Sequence, residues 1–192
     1  MKLKLEAPKA PTGIYFLISA GMLITTALIG LFFGGNHAFV EKLFQNAYGI
    51  FDRFLDSPSW VLFLLIFLNN AFKALLVILF GFCFGIFPAY SLLMNGFFLG
   101  AFARYAAEKQ SFLFAFVGIA PHGIVELSAF VLAGAYGLWL GYCFFRKIRY
   151  GEAYWPHLKS ALIFYLKIVL PLILVAALVE AFLTTRLIET VI

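Results

Sequence analysis

Hydrophobic side chains occur in five long runs along the chain, and most charged side chains lie in the short breaks between these runs. A run of about 20 apolar residues can cross a hydrocarbon core of about 30 Å as an α-helix. The pattern therefore predicts an all-α, polytopic membrane protein in which residues 1–192 form a single transmembrane domain. The five predicted spans are residues 14–33, 59–80, 89–105, 122–145 and 160–183.

Two breaks between the runs have a pattern of their own. Across residues 37–56, apolar side chains such as Phe39, Val40 and Leu43 recur at helical spacing among charged ones. This predicts an amphipathic helix in the interface between lipid and water. Residues 81–88 contain two glycines and a proline but no charge, which predicts a tight hairpin or a broken, partly buried segment.

The apolar region at residues 111–145 is too long for one crossing, because it would form about 50 Å of helix. Pro121 divides this region, and residues 111–120 are too short to span a membrane. We therefore expect a re-entrant half-helix or a buried lead-in at 111–120, followed by a full span that begins at His122. A kink is expected near Pro171 in the last span.

Composition excludes several classes of protein. Apolar residues make up 64% of the chain and charged residues 12%, whereas a soluble domain carries about 25% charged residues. So few charges cannot cover a soluble globule, which excludes a cytosolic enzyme, a nucleic-acid-binding protein and a disordered chain. The lipid bilayer is the expected partner, and the cell (plasma) membrane is the expected location.

Basic residues favour one orientation of the chain, because cytoplasmic loops are enriched in Lys and Arg. A cytoplasmic N-terminus places seven basic residues on the cytoplasmic side and five on the opposite side. We therefore expect a cytoplasmic N-terminus. The seven are Lys2, Lys4, Lys9, Arg146, Lys147, Arg149 and Lys159, and the five are Lys42, Arg53, Arg104, Lys109 and Arg186.

Several polar side chains lie inside the predicted spans and are functional candidates, because ionisable groups are costly in hydrocarbon. Lys73 needs a counter-charge, so we expect it to pair with Glu126 or Glu180 while asparagines fill the remaining hydrogen-bond positions. In the alternative interpretation these groups only clamp helices together, at about 0.6–2 kcal/mol per bond. The predicted buried polar core comprises Asn69, Asn70, Lys73, Asn95, His122, Glu126 and Glu180.

Small residues at helical spacing predict close helix packing, either within the chain or in a dimer, with in-chain packing favoured. One group forms a G-x-x-x-G pattern in the third span, and the other continues the face of Glu126 in the fourth span. The predicted packing residues are Gly96, Gly100, Ala133, Gly137 and Gly141.

The sequence contains no complete catalytic motif. The segment from His122 to Glu126 is not the H-E-x-x-H zinc helix, and one histidine with one glutamate does not complete a zinc site with three protein ligands. We therefore expect no catalytic residue, no metal ligand and no cofactor. An intramembrane metal-dependent hydrolase that uses His122 and Glu126 is the third-ranked function.

Three segments of the chain resemble the stage II sporulation protein M family. They read FLNNAFKALLVILFGFCFGIFPAYSLLMNGFFLG from Phe67, APHGIVELSAFVLAGAYGLWLG from Ala120 and LPLILVAALVEAFLT from Leu170. The sequence motifs typical of the family are an NN pair, an NG-x-x-x-G span, a P-H-G-x-x-E segment and a final A-x-x-E-A-F. The matching positions are Asn69, Asn70, Asn95, Gly96, Gly100, Pro121, His122, Gly123, Glu126, Gly134, Gly137 and Glu180.

This resemblance implies an integral membrane protein. In endospore formers the family's named member is similar to a membrane platform that recruits a peptidoglycan-degrading pair to the septum, but the family also occurs where no spores are made. We expect a non-enzymatic membrane scaffold or assembly component, whose partners are a homodimer mate or other membrane or envelope proteins, and no nucleic acid. The alternative is a small transporter or channel whose midplane cavity is lined by Lys73, His122, Glu126 and Glu180.

Overall fold

The computed structural model describes residues 10–48, 57–184 and 187. Within these residues the regular structure is helical throughout and contains no strand, which confirms the all-α fold class. Lys2, Lys4, Lys9, Arg53 and Arg186, which entered the topology prediction, lie outside the described residues, as do residues 49–56 of the predicted amphipathic helix.

Five helical segments are long and apolar enough to cross a membrane, as the sequence predicted. The last of them, Trp155–Thr184, combines two α-helices with two π-helical turns and is called the last span below. The α-helices are α1 (Gly13–Phe33), α2 (His37–Tyr48), α3 (Ser59–Leu79), α4 (Ile86–Lys109), α5 (Phe112–Tyr150), α6 (Trp155–Phe164) and α7 (Leu170–Leu178), with π turns at Tyr165–Val169 and Val179–Thr184.

The connections between helices define two ends of the bundle. The turn at residues 34–36 and the turn between α4 and α5 lie at the end that also carries α2, which we call the α2 end. The turn between α3 and α4 lies at the opposite end, together with the loop between α5 and α6, and we call this the hairpin end. α5 is central, because it packs against α1, α3, α4 and α7.

Backbone-to-backbone contact through glycine joins α1 to α4. A side chain at Gly100 would overlap the Ala27 carbonyl, and one at Gly96 would overlap the Leu23 carbonyl. On the opposite helix, a side chain at Gly30 would strike the backbone of α4. The glycines of the G-x-x-x-G pattern therefore pack within the chain, where they let two helices approach closely.

The small-residue face of α5 packs against the turn between α3 and α4. Ala133 is fully buried, and a side chain at Gly137 would meet the Val77 carbonyl oxygen at 2.5 Å. A side chain at Gly141 would strike the backbone of Gly85. This contact holds the hairpin end of the bundle together.

The turn at the hairpin end is short, and a tight hairpin was one of the two structures that the sequence predicted for residues 81–88. A 3₁₀ turn at Phe80–Phe82 ends α3, and α4 begins at Ile86. Gly85 adopts a φ of 76°, a left-handed conformation that glycine reaches without steric cost. The structure therefore contains a tight hairpin here and not a broken, buried helix.

The predicted division of the fourth span at Pro121 is wrong. α5 runs without a break from Phe112 to Tyr150 and contains Pro121 in its interior, so residues 111–120 form no separate re-entrant half-helix. Ser111 caps this helix, since its side chain accepts a hydrogen bond from the backbone N–H of Phe114 at 3.0 Å. A membrane favours continuous helix because unpaired backbone groups are costly there, and proline is tolerated within such helices.

α5 also extends well past the predicted limits of 122–145, as α4 extends past 89–105. Its 39 residues correspond to about 58 Å, which exceeds a hydrocarbon core of about 30 Å. Part of α5 therefore lies outside the hydrocarbon core.

A π turn precedes Pro171, near which the sequence predicted a kink. Pro171 has no backbone N–H to donate to the carbonyl of Lys167, and the π turn Tyr165–Val169 includes that residue. A widened turn of this kind is one of the recognised ways in which a helix accommodates an interruption of its hydrogen bonds.

Ion pairs at the α2 end attach α2 to α4. Glu41 lies 3.1 Å from Lys109 Nζ and accepts a hydrogen bond from the Tyr105 hydroxyl at 3.0 Å. His37 Nε2 lies 2.7 Å from Glu108. The Lys109 ammonium, with help from Tyr105, lowers the pKa of the Glu41 carboxyl below its ordinary value.

Adding one methyl group at Gly100 is expected to destabilise the fold. Gly100→Ala places the new carbon against the Ala27 backbone, so the free energy of unfolding should fall by about 1–3 kcal/mol, as for other overpacked sites. Denaturant unfolding in detergent micelles measures this change.

Gly21→Ala is the matched control, because a side chain there meets nothing within 4 Å. It should leave the free energy of unfolding unchanged or raise it slightly, since alanine favours helix over glycine. Equal effects of the two substitutions would contradict the described packing of α1 on α4.

Docking of α2 is expected to weaken in acid. The pKa of Glu41 is lower in the folded protein than in the unfolded chain, so its contribution is present above the ordinary pKa of 4.5 and is lost as pH falls through the folded value. Hydrogen exchange of residues 37–48 should therefore speed up on acidification.

In Glu41→Gln, hydrogen exchange of the same residues should already be fast at neutral pH. The control Lys42→Gln, at an exposed neighbouring position, should behave like the parent. Protection that is identical in Glu41→Gln and the parent at every pH would rule out this ion pair as the attachment.

Candidate functional site

A histidine and two glutamates meet between α5 and the last span. His122 and Glu126 lie four residues apart and so project from the same face of α5. One ring nitrogen of His122 and one carboxylate oxygen from each of Glu126 and Glu180 lie within 4.8 Å of one another, and all three residues are half-buried. We call His122, Glu126 and Glu180 the His–Glu cluster.

The π turn Val179–Thr184 carries Glu180 into this cluster. Its widened register is supported by Thr184, whose hydroxyl donates to the Val179 carbonyl five residues earlier, at 3.3 Å. Because a π turn holds an extra residue, Glu180 points in a different direction from the one a regular α-helix would give it. Such turns occur frequently at functional sites.

Thr184 also determines which nitrogen of His122 carries the proton. Its Oγ1 lies 3.3 Å from His122 Nδ1, and its single proton is used on the Val179 carbonyl. The hydroxyl therefore accepts from the Nδ1–H of His122, an assignment that follows from the hydrogen-bond pattern. The neutral imidazole then keeps its lone pair on Nε2.

Repulsion between the two glutamates adds to the cost of placing each charge within a span. Two ionised carboxylates whose oxygens lie within 4.8 Å of each other repel by at least about 3 kcal/mol at an effective dielectric constant of about 20. Within the part of the chain that the structure describes, neither Glu126 nor Glu180 has a hydrogen bond or an ion pair to a side chain. The two carboxylates therefore share a site without a full counter-charge.

Lys73 lies beside the cluster but is not paired with it directly. It is near enough to Glu126 for their charges to attract each other. However, its ammonium has no carboxylate oxygen of the described residues within 4.0 Å, so the direct ion pair predicted with Glu126 or Glu180 is not formed. Lys73 is also exposed on the surface of the chain rather than buried.

The asparagines of the predicted polar core form hydrogen bonds with nearby groups on their own helices. Asn69 donates to the side chain of Asn70 at 3.1 Å, and Asn70 is buried. Asn95 donates to the Ser91 carbonyl of its own helix at 2.7 Å, which is a common arrangement for a polar side chain inside a helix. The prediction that asparagines complete the hydrogen bonding of Lys73 is therefore wrong, and Asn95 bonds within α4 instead.

Two residues of the site were missed by the sequence analysis. Thr184 forms a hydrogen bond with the His122 ring, and the buried hydroxyl of Tyr165 donates to the Ala71 carbonyl of α3 at 2.9 Å. A tyrosine or threonine in an apolar run signals a hydroxyl that needs a partner, but the sequence does not say which partner. The bond from Tyr165 joins the last span to α3 two residues before Lys73.

The donor set of the cluster suits two kinds of chemistry. One imidazole and two carboxylates can exchange a proton, and they also provide three ligand atoms of the type that binds divalent transition metals. The sequence predicted no metal ligand, because one histidine and one glutamate on a single helix do not complete a metal site. Glu180, from the last span, supplies the third group.

The fold and the cluster together define a class, that of multi-pass helical membrane proteins with ionisable side chains between their spans. The sequence profile described as stage II sporulation protein M matches residues 14–185. The chain belongs to this family, which confirms the resemblance and extends it across the first span. No curated protein matches the chain, and no solved structure matches it.

Proposed function

We propose that this protein is a non-enzymatic assembly component of the plasma membrane that binds a partner through the face of α3 around Lys73. The partner is a second copy of the chain or another membrane or envelope protein. The observation that supports this proposal is the exposure of a charged side chain deep within a span.

The depth of Lys73 makes contact with lipid unfavourable. It lies nine residues before Phe82, where the helical segment of the second span ends, which corresponds to about 14 Å from the hairpin end. This distance exceeds the reach of a lysine side chain, so its charge does not escape fully to the interface. A charged residue near the centre of a span costs about 2.5–3.5 kcal/mol on insertion, and such residues almost always face the interior of a helical bundle or a water-filled cavity rather than lipid.

The surroundings of Lys73 are typical of a contact between helices. Leu68 and Phe72 lie four residues apart next to it, and their side chains are 59% and 61% exposed. A partner helix that covers these apolar groups can bring a carboxylate or a carbonyl oxygen to the lysine. Apolar contact would supply packing energy, and the single charge would select the partner.

The rigid framework also favours assembly over transport. Transporters rock one group of helices against another, whereas here glycine contacts interlock the backbones of α1 and α4 and join α5 to the hairpin turn. The transporter alternative depended partly on a discontinuous helix at residues 111–121, and α5 is continuous there. We therefore keep the transporter as the second candidate, supported by the cluster alone.

We infer that the hairpin end faces the cytoplasm. Arg146, Lys147 and Arg149 lie at that end of α5, and Lys159 lies near the start of α6. The start of α1 lies at the same end, which corresponds to a cytoplasmic N-terminus under the positive-inside rule. The α2 end, with Lys42 and Lys109, then faces the opposite side.

A photo-crosslinking amino acid at Phe72 tests the assembly role in the native membrane. The proposal predicts a crosslinked adduct at Phe72, and Lys73→Met should weaken it by roughly tenfold, equivalent to about 1.4 kcal/mol. Lys73→Arg is the matched control, because it retains the charge and should retain the adduct. An adduct of twice the mass of the chain identifies a homodimer, and any other mass identifies a different partner.

The same crosslinker placed at Phe112 measures the background yield of nonspecific crosslinking. That side chain is 78% exposed at the start of α5, away from the proposed contact. A yield at Phe72 no higher than at Phe112, or an adduct that is unchanged by Lys73→Met, would contradict the assembly role.

A further inference from the structure

We propose that the His–Glu cluster binds one divalent transition-metal ion, of which Zn²⁺ is the representative, through His122, Glu126 and Glu180. The ion would join α5 to the π turn of the last span inside the membrane. The site lies between α5 and the last span, whereas the proposed partner contact lies on the exposed side of α3, so the two proposals are tested separately.

Geometry is the first argument. The three ligand atoms lie within 4.8 Å of one another, so the point midway between them lies no more than about 2.8 Å from each ligand atom. Zinc takes nitrogen and carboxylate oxygen ligands at about 2.0–2.2 Å. A rotation of each side chain that moves its ligand atom by about 0.7 Å therefore closes the site around an ion.

The chemistry of the donors selects the class of ion. An imidazole nitrogen with carboxylate oxygens suits Zn²⁺, Mn²⁺ or Fe²⁺, whereas Ca²⁺ and Mg²⁺ prefer oxygen ligands only. Two carboxylates carry two negative charges, and a divalent cation neutralises both in a region where unpaired charge is costly. This accounts for two glutamates that approach each other without a bound partner among the described residues.

Thr184 provides an independent observation that points to a ligand. Its hydroxyl accepts a hydrogen bond from the Nδ1–H of His122 and donates one to the Val179 carbonyl. Histidines that bind metals almost always donate their other ring N–H to a nearby acceptor, commonly a carboxylate, a backbone carbonyl or water, and here the acceptor is a hydroxyl. The bond fixes the ring and leaves the second nitrogen available. The buried position of Thr184, with an exposed fraction of 3%, protects this arrangement from competition by water.

Three protein ligands leave one position of a tetrahedral ion for water or another small ligand. The proposal assigns no reaction to that position. It predicts only that the metal binds and that its binding stabilises the folded chain, because the unfolded chain does not hold the three groups together.

Metal titration of the full chain tests the site. The protein is purified in detergent without a histidine tag, stripped with a chelator and titrated with Zn²⁺, Mn²⁺ or Ca²⁺, with metal content measured after dialysis. We expect about one equivalent of Zn²⁺, a rise in melting temperature on Zn²⁺ addition and no such rise with Ca²⁺. Thr184→Val should weaken Zn²⁺ binding by about 10–100-fold.

Single-ligand variants identify the binding residues. His122→Gln and Glu180→Gln should each abolish the stoichiometric binding and the thermal shift, whereas His157→Gln, a histidine that packs on Trp139 outside the cluster, should retain both. Cobalt provides a readout that needs no variant, because Co²⁺ bound to one nitrogen and two oxygens should give a visible absorption band that added Zn²⁺ removes.

The proposal is overturned if the parent chain takes up no stoichiometric Zn²⁺ and shows no cobalt band, or if His122→Gln and Glu180→Gln bind as the parent does. Either result leaves the crosslink at Phe72 as a separate test of assembly. Conversely, a bound metal with no specific crosslink at Phe72 would remove the assembly role and leave the metal site standing.

Discussion

Repulsion between Glu126 and Glu180 is the interaction on which the account of this protein depends. An ionised carboxylate has little energetic cost in water. Within a span, however, these two approach each other where solvent screening is weak, and no described side chain bonds to either. A chain that keeps such a pair needs something to offset the repulsion. A shared proton, a cation or the neighbouring charge of Lys73 can each do so, and the proposed metal ion is one of these.

The close packing of the helices fixes where these charges lie. Gly96 and Gly100 bring α4 onto the backbone of α1, and Gly137 and Gly141 hold α5 against α3 and the hairpin turn. Because these contacts join backbone to backbone, α5 has little freedom to slide or rotate away from its neighbours. The positions of His122 and Glu126 are therefore set in part by small residues outside the cluster, which links the packing of the bundle to the chemistry of the cluster.

The sequence predicted features that depend on local pattern, and it failed where tertiary contacts decide. Apolar length identified the five spans, and the glycines at residues 81–88 identified the hairpin, because both follow from the chain itself. Pro121 misled the prediction, since a membrane maintains helical hydrogen bonding through an isolated proline. The approach of Glu180 to His122 depends on a π turn, which the spacing of residues in the sequence does not predict. The exposure of Lys73 depends on which face of α3 packs against the other helices.

A double-mutant cycle on Glu126→Gln and Glu180→Gln, measured as the free energy of unfolding of the metal-free protein in detergent, tests the central claim most directly. If the two carboxylates share one site, replacing either relieves the same repulsion, and the effects of the two substitutions should depart from additivity by at least about 1 kcal/mol. Effects that add to within about 0.5 kcal/mol would show two independent glutamates and would contradict the existence of the cluster.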